Sequence, residues 1–223
     1  MTLVIGAHGK DFVVAGADSK GTAETGGVRI ELNMVQKLVK VNEHVVILLY
    51  GNVERAQYLI DELGIQNRFD PNSGVRHIAR EFKSLCREEA RVPMGLRPTE
   101  ESSFGFIVAG LDATDGVFNA PKVYGFGNDG GYSLGLGRDG FLIKGKPMIA
   151  YYNFAKNYKA ALRAEDSKLA LAKLVAQSLY DTIQVDGDVG GAIKLSIIDA
   201  TGARILEEPD LIRNYINDPW LNR

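Results

Sequence analysis

Met1-Thr2-Leu3-Val4-Ile5-Gly6-Ala7-His8-Gly9-Lys10-Asp11-Phe12-Val13-Val14-Ala15-Gly16-Ala17-Asp18 opens the chain. Two apolar runs, residues 3–7 and 12–17, flank the polar break His8-Gly9-Lys10-Asp11. Apolar runs around a short break containing glycine predict a β-hairpin. Neither run alternates apolar with polar residues, so both strands are expected to be buried on both faces. A buried strand starting this early ties down a terminus that would otherwise fray. The residue behind the initiator is Thr2. Removal of Met1 would leave Thr2 with a free α-amine beside its own hydroxyl, a base and a nucleophile in one residue.

The chain has 223 residues and is 45% apolar, enough for a full core. The length suits one large domain, and two small ones are also compatible with it. The formal net charge is −2, and no basic field points to nucleic acid. Cys86 is the single cysteine, which excludes an intrachain disulfide and a thiolate-rich metal site. The N-terminal apolar stretch is too short and lacks the basic lead of a signal peptide. No run approaches the roughly 20 apolar residues of a membrane span. A soluble, cytoplasmic protein is expected.

Residues 19–33 are polar and rich in Gly and Thr and read as a surface loop. Residues 35–41 and 45–50 form the next strand pair, turned at Asn42-Glu43-His44. Helical spacing of Val53, Ala56, Ile60 and Leu63 predicts a helix over about 52–63, stopped by Gly64. Ser73 reads as the N-cap of a second helix striped by Val75, Ile78, Ala79, Phe82, Leu85 and Cys86. A proline-containing loop spans 92–103, and a buried strand follows over 104–111. Strands at 122–126 and 132–136 flank Gly127-Asn128-Asp129-Gly130-Gly131, a turn. Helices are predicted over about 149–162 and 166–183, strands over 192–198 and 203–206, and a short helix after Pro209. Strands and paired helices therefore come in blocks. That order suits antiparallel sheets with helix pairs on the outer faces rather than a parallel βαβ sheet.

The pattern resembles the β-type subunits of the proteasome and their bacterial and archaeal relatives, the N-terminal-nucleophile (Ntn) hydrolases. Thr2-Leu3-Val4 followed by Lys10-Asp11 resembles the family's opening Thr strand. Ala17-Asp18-Ser19-Lys20 resembles its acidic residue and the basic loop behind it. Lys37-Leu38 and Gly51-Asn52-Val53-Glu54-Arg55-Ala56-Gln57 resemble its catalytic Lys and Gly-led helix start, and the fourteen-residue step from Lys37 to Gly51 matches. Asp186-Gly187-Asp188-Val189-Gly190-Gly191 is similar to its Asp-x-x-Ser-Gly-Gly. Two departures stand out. Val189 replaces the serine of that motif, and Gly145-Lys146-Pro147-Met148 carries no serine where the family has Gly-Ser-Gly-Ser. The resemblance implies one domain over residues 1–223, α+β in class: a four-layer αββα sandwich of two antiparallel sheets with helix pairs outside.

The resemblance also implies a threonine-type amidohydrolase or peptidase using Thr2, with Asp18, Lys37, Gly51 and Asp186 as its other catalytic residues and Thr22 and Lys20 at the substrate cleft. A hydroxyl is a weak nucleophile until a base takes its proton. An α-amine, with an ordinary pKa of about 7.7 to 8.0, suits that task. Lys37 reads as a buried ammonium paired with Asp18, since a buried cation needs a carboxylate. Strand alternation alone is equally compatible with Lys37 facing solvent. Gly51 offers a backbone N–H to an oxyanion at a helix start, and is also simply a turn glycine. The Asp186 loop reads as a turn or, with Asp188, as a cation site, but Asp-x-Asp alone is poor support for a metal. No metal and no cofactor are expected. The family resemblance implies a ring-like homo-oligomer, peptide or protein substrates and an ATPase regulator as candidate partner, with no nucleic acid and no membrane. Two alternatives stay open: an inactive ring-forming subunit of the same fold, and a transferase in which an amine resolves the acyl-Thr2 intermediate.

Overall fold

The computed structural model describes residues 2–25, 28–32, 35–89, 103–114, 116–128, 134–137, 139–145, 148–207 and 215. The opening hairpin is β1 (Leu3–His8) and β2 (Val13–Asp18), antiparallel with Val4 opposite Ala17 and His8 opposite Val13. Both strands are buried along almost their whole length, as their unbroken apolar runs require. Residues 19–33, expected as a loop, contain instead a small separate hairpin, β3 (Gly21–Thr25) and β4 (Val28–Leu32). A two-residue Gly26-Gly27 connection between β-branched Thr25 and Val28 favours this pairing, and the polar residues hid it.

The next ladder joins β5 (Leu38–Asn42), β6 (Val45–Gly51), β7 (Phe104–Thr114), β8 (Val117–Gly127) and the short β9 (Gly135–Leu136). Between β6 and β7 lie α1 (Val53–Glu62), a four-residue turn of helix α2 (Ile65–Arg68), and α3 (Val75–Glu89). Helix α3 starts after Gly74, and its Arg76 N–H is capped by the Asp112 carboxylate of β7 at 2.9 Å. Ser73 was the expected cap. A tertiary carboxylate took that place, and the Ser73 carbonyl instead accepts from the Asn42 side chain. β10 (Phe141–Gly145), α4 (Met148–Arg163), α5 (Ser167–Val185), β11 (Ile193–Asp199) and β12 (Gly202–Leu206) complete the described elements. The expected turn at 127–131 extends past Asn128 outside the described residues. So do most of the 92–103 loop and nearly all of the chain after Glu207.

Among the described residues there are two five-stranded antiparallel sheets, ordered β10-β1-β2-β11-β12 and β5-β6-β7-β8-β9. Strand period 2 divides their side chains among three cores. Leu3, Ile5, Ala7 and Val14 pack outward against Phe154, Tyr158, Val175 and Leu179 of α4 and α5. Val39, Ile47, Phe106 and Phe126 pack outward against Ile60, Ile78 and Phe82 of α1 and α3. Val4, Val13, Ala15, Ala17 and Ile198 meet Val46, Leu48, Tyr50, Ile107 and Val123 between the sheets. The result is the four-layer αββα sandwich of the Ntn fold, with no parallel strand pair among the described residues. No helix of the described residues is long and apolar enough to cross a membrane.

Tyr158 ties α4 to the last residue of β1 and to the turn before β10. Its hydroxyl donates to the carbonyls of His8, at 2.6 Å, and Gly140, at 3.2 Å. Burial pushes the phenol up to about 12 from an ordinary 10.0. Because the folded state holds this proton more tightly than the unfolded chain, the associated stability is present below pH 10 and is lost as pH rises toward 12. Tyr158→Phe is expected to cost about 1–2 kcal/mol in urea unfolding at neutral pH and to remove this alkaline dependence. An unchanged midpoint would show that these two bonds contribute nothing net.

Candidate active site

The site residues converge at one end of the sandwich, around the Asp18 carboxylate. Asp18 closes β2 and is 1% exposed. Its Oδ1 accepts the Leu3 N–H at 2.8 Å, and its Oδ2 accepts the N–H groups of Lys20 and Gly190, each at 3.2 Å. Lys37 Nζ donates to both oxygens at 2.9 Å. The Lys37 side chain has no solvent exposure, so the alternative in which it faces water does not hold. Its ammonium also donates to the Lys20 carbonyl. Burial pushes the Lys37 ammonium below the usual lysine range, and Asp18 pulls it back.

Thr2, 2% exposed, lies immediately before β1. Its neighbour Leu3 carries the N–H that Asp18 accepts, so the carboxylate is bonded both to the strand that follows Thr2 and to the ammonium. On the other side Leu3 is opposite Gly145, at the end of β10. Gly145 has φ 101°, and any Cβ there would strike the Thr2 carbonyl. Thr2 is thus seated against bare backbone at the end of β10.

Gly51 ends β6, exposed, with φ 77°, and a Cβ there would overlap the Ser103 carbonyl. The next residue, Asn52, donates its N–H to that carbonyl at 2.8 Å and caps α1 by accepting from Arg55 N–H. The Leu49 N–H donates to the Lys37 carbonyl at 2.9 Å, which places Gly51 two residues along β6 from the partner of Lys37.

Asp186 ends α5 and builds a tight turn. Its Oδ1 accepts from Asp188 N–H at 2.9 Å, and its carbonyl accepts from Val189 N–H at 3.1 Å. That turn delivers Gly190, whose carbonyl accepts from Ser19 and Lys20 N–H while its own N–H reaches Asp18. Val189, 2% exposed, points into the apolar core with Leu179 and Ile193. Gly190 is the residue that sequence reasoning missed. The Gly-Gly after Asp186 was the available signal, but backbone donors carry no mark in a side-chain pattern.

Lys20 enters by its backbone, and its ammonium is held by the Gly187 carbonyl at 2.7 Å and by Glu31 Oε2 at 3.0 Å. Thr22 lies on β3 opposite Glu31. Among the described residues no group of three or more His, Cys, Asp or Glu is placed to hold a metal.

No protein-family model matches the chain. It is similar to proteasome subunit beta type-1 of Saccharomyces cerevisiae, with 25% identity over 217 residues that cover 94% of this chain and 89% of the yeast protein. It is also similar to proteasome subunit beta 2 of Desulfurococcus amylolyticus, with 22% identity over 208 residues that cover 88% of this chain and 87% of the archaeal protein.

The geometry makes an asymmetric prediction for the buried pair. Asp18→Ala leaves a buried ammonium and three backbone N–H groups without their acceptor, and is expected to cost about 3–5 kcal/mol. Lys37→Met leaves the carboxylate still held by three N–H donors, and is expected to cost about 1–3 kcal/mol. Urea unfolding of both variants measures the order, and a larger loss for Lys37→Met would reverse it.

Proposed function

We propose, from the relationship of this chain to proteasome β subunits of the Ntn hydrolase superfamily, that it is an N-terminal-threonine amidohydrolase or peptidase that uses Thr2 after removal of Met1. The observation that carries the reading is the buried Lys37–Asp18 pair, hydrogen-bonded through Leu3 N–H to the strand that bears Thr2. A fully buried ion pair is costly to desolvate and is a poor stabiliser, so a role in chemistry accounts for its presence better than one in stability.

In this reading the Thr2 amine, directly or through a water, takes the Thr2 hydroxyl proton. The oxygen attacks the substrate's amide carbon, and the Gly51 N–H stabilises the resulting oxyanion. Lys37, charged beside Asp18, lowers the cost of the alkoxide and keeps the amine neutral. Collapse of the intermediate breaks the C–N bond, and the leaving amine takes the proton from the Thr2 ammonium. Water, its proton removed by the same amine, then attacks the acyl-Thr2 ester, releases the acid and restores the hydroxyl. Asp186 orders the turn next to the amino terminus, but Val189 adds no hydrogen bond there. Within the same reading the chain is one domain that assembles into a ring-like homo-oligomer in the cytoplasm. It acts on peptide or protein substrates delivered by an ATPase regulator, and Thr22 lines the cleft.

Two results are expected. Thr2→Ala abolishes turnover of peptide substrates while leaving the melting temperature and oligomeric state unchanged. The wild-type rate falls as pH drops through the pKa of the Thr2 amine, because only the neutral amine is a base. Turnover that survives in Thr2→Ala would contradict the assignment. A Met-free wild type without turnover would support the inactive ring-forming subunit instead, the reading that Val189 favours.

A further inference from the structure

The segment before Gly145 carries a lysine in an apolar strand. β10 reads Phe141-Leu142-Ile143-Lys144-Gly145, and Phe141 and Ile143 face the helices α4 and α5. Leu142 faces the opposite way, into the core between the sheets, and Lys144 shares its side by strand alternation. The ammonium confirms the direction, since Lys144 Nζ lies 5.6 Å from the ring centroid of Tyr50 on β6 of the facing sheet. That ring is fixed, because Tyr50 is 7% exposed and its hydroxyl donates to the Phe126 carbonyl at 3.3 Å. The next residue after Tyr50 is Gly51.

The register locates the cation relative to Thr2. Lys144 is directly opposite Val4, and Val4 points between the sheets. Thr2 is two residues from Val4, on the same face, and is therefore a diagonal cross-strand neighbour of Lys144. Such pairs stand about 7–8 Å apart, within reach of a lysine side chain. Among the described residues no carboxylate pairs with Lys144, and it is only partly buried. Lys37 and Lys20, the other cations here, are each bonded to a carboxylate.

We infer that Lys144 is a specificity-determining residue that binds a substrate carboxylate beside the scissile amide, so that the cleft selects acidic peptides. The inference rests on Thr2 being the nucleophile. A cation held over an aromatic face between the two sheets, on the strand paired with the one that follows Thr2, has no carboxylate partner among the described residues. A carboxylate entering there gains a charge-assisted hydrogen bond that a neutral side chain does not. Two sources of that carboxylate fit the geometry, an acidic side chain and a free chain terminus.

The test uses Met-free protein and two peptide boronates that differ only in Glu or Gln next to the boron, with association at Thr2 measured. Wild type is expected to bind the Glu probe about tenfold faster or more. The Glu-to-Gln ratio is expected to fall to about one in Lys144→Met and to persist in Lys144→Arg. Melting temperatures of both variants separate this from misfolding. Competition by N-acetyl-alanine as free acid against its amide reads the terminal source: protection by the acid alone, lost in Lys144→Met, assigns the carboxylate to a chain end. Equal rates for the two boronates together with equal competition overturn the inference, as does a ratio that survives in Lys144→Met. A wild type that binds neither boronate contradicts Thr2 as the nucleophile, and the inference falls with it.

Discussion

The Asp18 carboxylate is the point on which this structure turns. It accepts N–H donors from three separate parts of the chain and two hydrogen bonds from a buried ammonium. A buried charge with unmet hydrogen-bonding capacity is expensive, so the segments that satisfy it are constrained together. Through this one side chain β1, the approach to β3, the loop after α5 and the approach to β5 meet at one end of the sandwich. The apolar layers set the overall architecture, while the carboxylate fixes which backbone groups meet beside Thr2.

The same constraint is met by backbone rather than by side-chain hydroxyls. The turn that carries Val189 reaches Asp18, Ser19 and Lys20 through the Gly190 backbone. Likewise the end of β10 approaches Thr2 through Gly145, where absence of a side chain, rather than its chemistry, is what the contact requires. The scaffold around Thr2 thus rests on backbone contacts at both places.

The buried strands were legible in the sequence because burial on both faces leaves an unbroken apolar run, as in Val45-Val46-Ile47-Leu48-Leu49. α1 and α3 were legible from their apolar stripes. The β3–β4 hairpin was not, since a two-stranded element outside the main sheets has no need of apolar residues. The cap of α3 was misplaced because Asp112 arrives from a strand 36 residues away, beyond any local rule. At the site, side chains with a charge to satisfy, Asp18 and Lys37, were readable as a pair. The Gly190 N–H was invisible, as backbone donors are. Lys144 carries no mark in the sequence, and only register across β1 reveals what it stands beside.

The proposed activity requires Thr2 to become a free amino-terminal nucleophile, and one measurement addresses that directly. Natively produced protein is treated with a peptide β-lactone, and the intact mass and the site of the adduct are then determined by mass spectrometry. The account predicts a chain that lacks Met1 and carries one acyl group, located on the Thr2 side-chain oxygen. Retention of Met1, or an adduct on any other residue, would contradict it.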